Sequence, residues 1–216
     1  MADFLANRRH AIVGLMLLAG APFAKAAQAS APLSADDRAT VERASAYLEG
    51  LTNAKGRFVQ TDPRGAVSEG SLFLHRPGKA RFAYDPPSGV IIASNGKVVS
   101  RLDPRLHAFQ SYPLGLTPLS LFLARDIRLD RGVSVSKVTR LADGFAIVAR
   151  DGRRQAEGRI VLTFAESPLR LTGWTVTDAQ GQATRVSLVD FAASGPLDPT
   201  LFELRDPRLA SSPPVR

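Results

Sequence analysis

"HRPGKARFAYDPP", residues 75–87, is the stretch on which the fold turns. It sets three basic side chains (Arg76, Lys79, Arg81) and two aromatics (Phe82, Tyr84) between prolines. That composition suits a nucleic-acid patch, an active-site loop or the corner of an apolar sheet. The pleat separates these readings. On a strand running from Lys79 to Tyr84, residues Lys79, Arg81 and Ala83 face one way and Ala80, Phe82 and Tyr84 the other. Binding a single nucleic-acid strand needs aromatic platforms interleaved with cations in one groove. Here the two are segregated, as in a sheet with one wet face and one apolar face.

Neighbouring segments repeat the pattern. Leu72 and Leu74 share a face, as do Val90 and Ile92, Val98 and Leu102, Phe145 and Ile147, and Ile160, Leu162 and Phe164. Turn chemistry recurs between the runs: Asp62-Pro63-Arg64-Gly65, Arg76-Pro77-Gly78, Pro86-Pro87-Ser88-Gly89, Asn95-Gly96, Asp103-Pro104, Asp143-Gly144, Ser167-Pro168 and Gln180-Gly181. The spacing predicts about eleven strands in an antiparallel meander: 56–61, 67–75, 79–84, 90–94, 97–102, 106–111, 133–140, 145–150, 159–164, 169–178 and 182–191.

Helical material is scarce. Ser34 before Ala35, Asp36 and Asp37 has the S-x-x-D form of a capping box, which predicts a helix to about Glu49. Its expected apolar stripe is Val41, Ala44, Ala46, Tyr47 and Leu48, with Gly50 as the stop. "TPLSLFLAR", residues 117–125, reads as a short helix capped by Thr117 with Pro118 in its first turn. A further turn is expected at 198–202, and residues 210–216 as a flexible tail. Two short helices are little cover for eleven strands. The sheet therefore closes into a barrel, curls into a half-barrel with a ligand cavity under a helical lid, or has an ordinary filled core.

The N-terminus is separate in character. Arg8, Arg9 and His10 precede an apolar run at 11–24 that ends in Ala24-Lys25-Ala26, which reads as a cleavable export signal over residues 1–26. At about 14 residues the run is short of the roughly 18–20 that span a bilayer; a retained hydrophobic anchor is the alternative. Ala11 and Ile12 after His10 make a poor twin-arginine match, which puts the Sec route ahead. The chain carries +8. Losing Arg8, Arg9, Lys25 and Asp3 would leave 25 basic against 19 acidic side chains, or +6. Such a charge suits anionic partners without choosing among them. The absence of cysteine excludes disulfides, thiolate metal sites, cysteine nucleophiles and a lipid-modified N-terminal cysteine.

Catalytic chemistry finds few candidates. There is no G-x-S-x-G elbow, P-loop or G-x-G-x-x-G after a strand. His75 and His107 fall on different predicted strands without paired carboxylates, so neither a metal site nor a cofactor is expected, and both read as surface strand residues. The acids gather in turns, where they cap backbone. Two carboxylates converging from distant strands, as in a glycosidase, would leave no mark in spacing. The expectation is that this is not an enzyme.

The order of features resembles the LolA family of periplasmic lipoprotein carriers. The matching stretches are the N-terminal helix, "GRFVQ" (56–60), "EGSLFLHRPGKARFAYDPP" (69–87), "SNGKVVSRLDPRL" (94–106), the Pro-Leu helix near 118, "DAQGQATRVSLVDF" (178–191) and "LDPTLFEL" (197–204). The resemblance implies a mainly β fold with an α lid: an unclosed antiparallel half-barrel over residues 27–209 covered by short helices. Its cavity would receive lipoprotein acyl chains released by an inner-membrane ABC transporter and deliver them to an outer-membrane acceptor lipoprotein. The carrier would be a periplasmic monomer that binds no nucleic acid. The family's lid arginine falls on Arg76, where it would bond lid helices in the closed state; the alternative is a solvated turn residue before Pro77. The acyl-chain wall would comprise Phe58, Leu72, Leu74, Phe82, Tyr84 and Ile92, and the lid Leu119, Phe122 and Leu123. Phe82 stands where relatives usually show tryptophan, and Ala80 and Val99 where larger aromatics are common. The runner-up is a periplasmic module of the same architecture that binds or senses another lipid or glycolipid.

Overall fold

The computed structural model describes residues 32–117, 119–123, 133–151 and 158–210. Residues 1–26, expected as the export signal, and 211–216 of the expected tail lie outside the described residues, as does Pro118. Helix α1 (Ala35–Gly50) begins where the Asp37 N–H donates to Ser34 Oγ at 3.1 Å, with Asp36 and Asp37 favourably placed against the positive end of the helix dipole. Its buried residues are Thr40, Val41, Ala44 and Leu48. Ala46, expected on the apolar stripe, is exposed, because the 100° turn per residue carries it away from the face holding 41, 44 and 48. Thr40 takes a buried place instead, its hydroxyl bonded to Asp36 O and to Arg140 Nη2.

Eleven strands form one antiparallel sheet. They are β1 (Asn53–Thr61), β2 (Val67–His75), β3 (Lys79–Tyr84), β4 (Ile91–Asn95), β5 (Val98–Asp103), β6 (Ala108–Pro113), β7 (Val133–Leu141), β8 (Gly144–Asp151), β9 (Arg159–Glu166), β10 (Leu169–Thr177) and β11 (Ala183–Ala193). The strand order is β6-β5-β4-β3-β2-β1-β11-β10-β9-β8-β7. The first strand thus pairs with the last in mid-sheet, and β6 and β7, consecutive in the chain, form opposite edges. The sheet is unclosed. The connection between those edges carries a 3-10 turn (Leu114–Leu116) and α2 (Leu119–Leu123), so it must travel from one edge to the other. Thr117, expected to cap α2, ends the 3-10 turn with its hydroxyl donating to Leu114 O at 2.8 Å, and its carbonyl accepts the Ser120 N–H of α2 at 3.0 Å.

Register defines two faces. On the inner face, cross-strand rows run Ala54-Leu74-Ala80-Ser94-Val99, Gly56-Leu72-Phe82-Ile92-Arg101, Leu188-Phe58-Gly70-Tyr84, and Val138-Ile147-Leu162-Trp174-Val186-Gln60. Most of their apolar members belong to a single core cluster with Val41, Ala44 and Leu48 of α1 and Phe122 and Leu123 of α2. Gly70 sits where a Cβ would come within 2.8 Å of the Phe58 ring and 2.3 Å of Ala83 O, so the "EG" of "EGSLFL" makes room for that ring.

Val98 and Leu102 do not join this face, contrary to the pattern expected from their alternation. Ser94 pairs with Val99 and Ile91 with Leu102, so Val99 points inward and Val98 and Leu102 outward. The outer face has its own cover. After Ser194 donates to Asn53 O, a 3-10 turn (Pro199–Phe202) capped by Asp198 crosses β3 and β4; it buries Phe202, and Leu201 O accepts from Arg81 Nη1 at 3.0 Å. A last turn, α3 (Pro207–Ala210), occupies the first position of the expected tail. No helix among the described residues is long and apolar enough to cross a membrane.

Candidate functional site

The inner face is built around a chain of aromatic rings contributed by distant parts of the sequence. Tyr84 meets Phe58 edge-on with centroids 5.0 Å apart, Phe58 meets Phe82 at 5.5 Å, and Phe82 meets Trp174 at 6.1 Å. Phe122 of α2 then stacks on Trp174 at 5.2 Å and 29°. Each contact falls within the range in which aromatic pairs gain beyond simple burial. Leu72 and Leu74 lie beneath, fully buried. On the other half of the sheet Phe145 stacks on Phe164 at 5.1 Å, and Tyr47 of α1 packs edge-on against Phe164.

All nine apolar residues expected in wall and lid come together in or against this one cluster: Phe58, Leu72, Leu74, Phe82, Phe122 and Leu123 buried, and Tyr84, Ile92 and Leu119 half-buried at its margin. Tyr84 keeps its hydroxyl satisfied by donating to Gln60 Oε1 at 2.7 Å, while burial pushes the phenol above its ordinary pKa. Sequence reading missed Trp174, the chain's one tryptophan, whose ring contacts both Phe82 of β3 and Phe122 of α2. Its signal was available: it alternates with Thr175 in a strand whose other inward residues are apolar. It also places an indole beside Phe82, so the lining is more aromatic than β3 alone suggests.

Arg76 lies in the turn between β2 and β3 and is buried, with 6% of its surface exposed. Its N–H donates to Thr52 O at 2.7 Å, and its Nη1 donates to Leu48 O in the last turn of α1. That turn of α1 contains no basic residue of its own, so Arg76 supplies from outside the cation that the helix dipole favours there. Burial pulls the guanidinium pKa down, opposed by the nearby Glu49 carboxylate. Arginine remains charged at neutral pH in either setting. Two residues on, the Gly78 N–H donates to Leu123 O at 2.8 Å, the end of α2, and Gly78 O accepts from the buried Ser94 hydroxyl at 2.7 Å. Gly78 has a φ of +81°, where a side chain would be strained. Residues 76–78 thus bond the C-terminal ends of both helices that cover the apolar face.

His75 ends β2, on a strand as expected, but His107 does not lie on one. His75 is half-buried, its Nδ1 2.6 Å from Asn53 Oδ1 and its ring 5.9 Å from Phe202; His107 lies in the turn before β6, not on a strand, with a φ of +49°. Among the described residues no group of three or more histidines and carboxylates is placed to hold a metal ion.

The family model for outer membrane lipoprotein carrier protein LolA matches residues 49–205. An outer-membrane lipoprotein carrier protein from Chromohalobacter salexigens is 27% identical over 176 residues, covering 77% of this chain and 82% of the relative. One from Xylella fastidiosa is 29% identical over 168 residues, covering 73% and 78%. Among solved structures, a DUF1329 family protein from Desulfovibrio piger superposes with a TM-score of 0.51 at 8% identity, over 77% of this chain and 96% of that one, a likeness of fold.

Proposed function

This chain belongs to the LolA family of outer-membrane lipoprotein carrier proteins, and from that premise we propose that it holds lipoprotein acyl chains on the inner face of its open sheet. Phe58, Leu72, Leu74, Phe82, Tyr84, Ile92 and Trp174 are the wall; Leu119, Phe122 and Leu123 are the lid. Cargo would come from an inner-membrane ABC transporter and pass to an outer-membrane acceptor. The working form is a periplasmic monomer spanning residues 27–209, with residues 1–26 removed after export by the Sec route and 210–216 as a tail.

One observation carries the reading most directly: a single turn is bonded to both helices over a continuous apolar face. Burying a 16-carbon acyl chain is worth about 12 kcal/mol at about 0.8 kcal/mol per CH₂. A rigid open cavity would hold such a chain too tightly to release it. In the closed arrangement Phe122 and Leu123 occupy the face themselves, and moving them into water costs about 1.5–3 kcal/mol each. The Arg76 and Gly78 bonds must be broken as well. Lid and cargo therefore compete for one surface, which lowers net affinity and favours hand-over. Nothing in this exchange requires a cofactor or a chemical step, in keeping with a family of carriers rather than enzymes.

The test is mass spectrometry of what copurifies with the processed protein from its native envelope. Triacylated peptides are expected. Lipid or glycolipid without peptide would favour a binding or sensing module of the same architecture, and absence of any acylated molecule from protein isolated under native conditions would count against both.

A further inference from the structure

The inner-face rows hold one charged side chain. Across β2, β3, β4 and β5 the register sets Leu72, Phe82, Ile92 and Arg101 side by side, so a guanidinium continues a row that is otherwise apolar. Two residues on, Asp103 shares that face, is buried, and accepts from Arg101 Nη2 at 2.8 Å. Burial raises the Tyr84 phenol above its ordinary pKa, and the Gln60 bond and the Arg101 charge oppose that shift, so the guanidinium is near enough to act on the aromatic chain.

The turn at the end of β5 does not account for this arginine. Asp103 Oδ1 accepts from the N–H groups of Arg105 and Leu106, which closes the turn into β6. Asp62 closes the turn after β1 in the same way, accepting from the N–H groups of Arg64 and Ala66, and Asp178 that after β10, accepting from Gln180 and Gln182. Among the described residues neither Asp62 nor Asp178 is paired with a cation. Such a turn therefore forms without an arginine.

Arg101 makes one hydrogen bond among the described residues, to Asp103, and 36% of its side chain is exposed, so its other N–H groups can donate to a ligand. Asp103 has both oxygens engaged. The two charges cancel, so the pair exerts no net pull on a phosphate or a polyanion. What it offers is donors at the margin of an apolar wall. The ligand that suits both is an alkyl chain with an uncharged oxygen acceptor at its root.

We propose that Arg101 binds the ester or amide carbonyls at the root of the cargo's acyl chains, with the chains lying on the Ile92-Phe82-Leu72 row beside it. This rests on the reading that acyl cargo occupies the inner face, and it names the residue that reads the cargo's polar end. A charge-assisted bond from a guanidinium that stays partly hydrated strengthens binding about tenfold.

Competition binding to the processed protein tests this, with a neutral naphthylamine fluorophore displaced by methyl laurate, laurate or dodecane, ligands that share a chain and differ at its root. Arg101→Gln, which removes the charge, and Arg101→Lys, which keeps it, are compared with the parent. Both should fold with melting temperatures near the parent's, because Asp103 keeps its two backbone N–H bonds. Arg101→Gln should bind methyl laurate about tenfold more weakly, laurate weaker by at least as much, and dodecane as tightly as the parent does; Arg101→Lys should fall between. Equal loss for all three ligands would make Arg101 a structural support, and parental binding of the ester would leave its donors without a carbonyl. Either result overturns the proposal, as does a loss confined to laurate, which would assign the donors to a free carboxylate. A parent protein that binds none of the three would bring down the inner-face reading as well.

Discussion

Replacing Arg76 by leucine tests the lid directly. The variant keeps an apolar but shorter side chain and removes the Nη1 donor to Leu48 O. A charge-assisted bond of this kind contributes about 1.5–3 kcal/mol. The carbonyl is not stranded, because Leu48 O also accepts from the Leu51 N–H at 3.2 Å. Deleting the charge also removes the cost of keeping a guanidinium buried, so overall folding should survive with a melting temperature within a few degrees of the parent. The closed state, which alone uses the bond, should lose about 2 kcal/mol, a shift of about 30-fold in the closed-to-open ratio. An acyl chain that binds only the open form then binds up to about 30-fold more tightly and leaves correspondingly more slowly. The assay is equilibrium binding of a fluorescent fatty acid, followed by its transfer from loaded protein to acceptor vesicles. Arg76→Lys, which keeps charge but not the planar fork, should fall between the two. A folded Arg76→Leu protein with parental affinity and parental transfer would sink the latch assignment.

Other consequences are as open to measurement. Trp174 touches both Phe82 and Phe122, so saturating the protein with fatty acid should shift or quench its fluorescence; an unchanged spectrum at saturation would mean that the lid stays on the indole. Gly70→Ala would drive a methyl against Ala83 O and the Phe58 ring and should cost about 1–3 kcal/mol in denaturant unfolding, with parental stability contradicting the packing described. Asp85 is held below the ordinary carboxylate range by its bond to Arg57, Glu166 by Arg43, and Asp198 by the Thr200 N–H. Folded pKa values below the unfolded ones mean that this stability is complete above pH about 4.5 and lost as acid takes pH through the folded values. The urea midpoint should therefore hold from pH 7 to about 5 and drop below about 4; a rise on acidification would reverse the assigned sign.

The alternation at 79–84 was sufficient to place Phe82 and Tyr84 on one face and Arg81 on the other, because the pleat is a property of the strand itself. Helix α1 was equally legible, since its Ser34 cap and its spacing of apolar residues act over a few positions. Strand positions followed from turn residues, whose backbone preferences are local too. Alternation alone, however, leaves open which face is inner. Val98 and Leu102 alternate as well as Leu72 and Leu74 do, yet they point outward. The tight turn held by Asn95 Oδ1, which accepts from the N–H groups of Lys97 and Val98, pairs Ser94 with Val99.

Trp174 was overlooked for a related reason. It lies 92 residues beyond Phe82 and 52 beyond Phe122 in the sequence, and only the pairing of β1 with β11 brings β10 beside the N-terminal half of the sheet. The sequence by itself determined the strands, the caps, the segregation of aromatics from cations and the shortage of helix. The tertiary structure decided which faces meet, that Phe202 covers the outer side, and that Arg76 is buried against α1. Those outcomes depend on contacts between residues far apart in the chain, whose chemistry is set only once register brings them together.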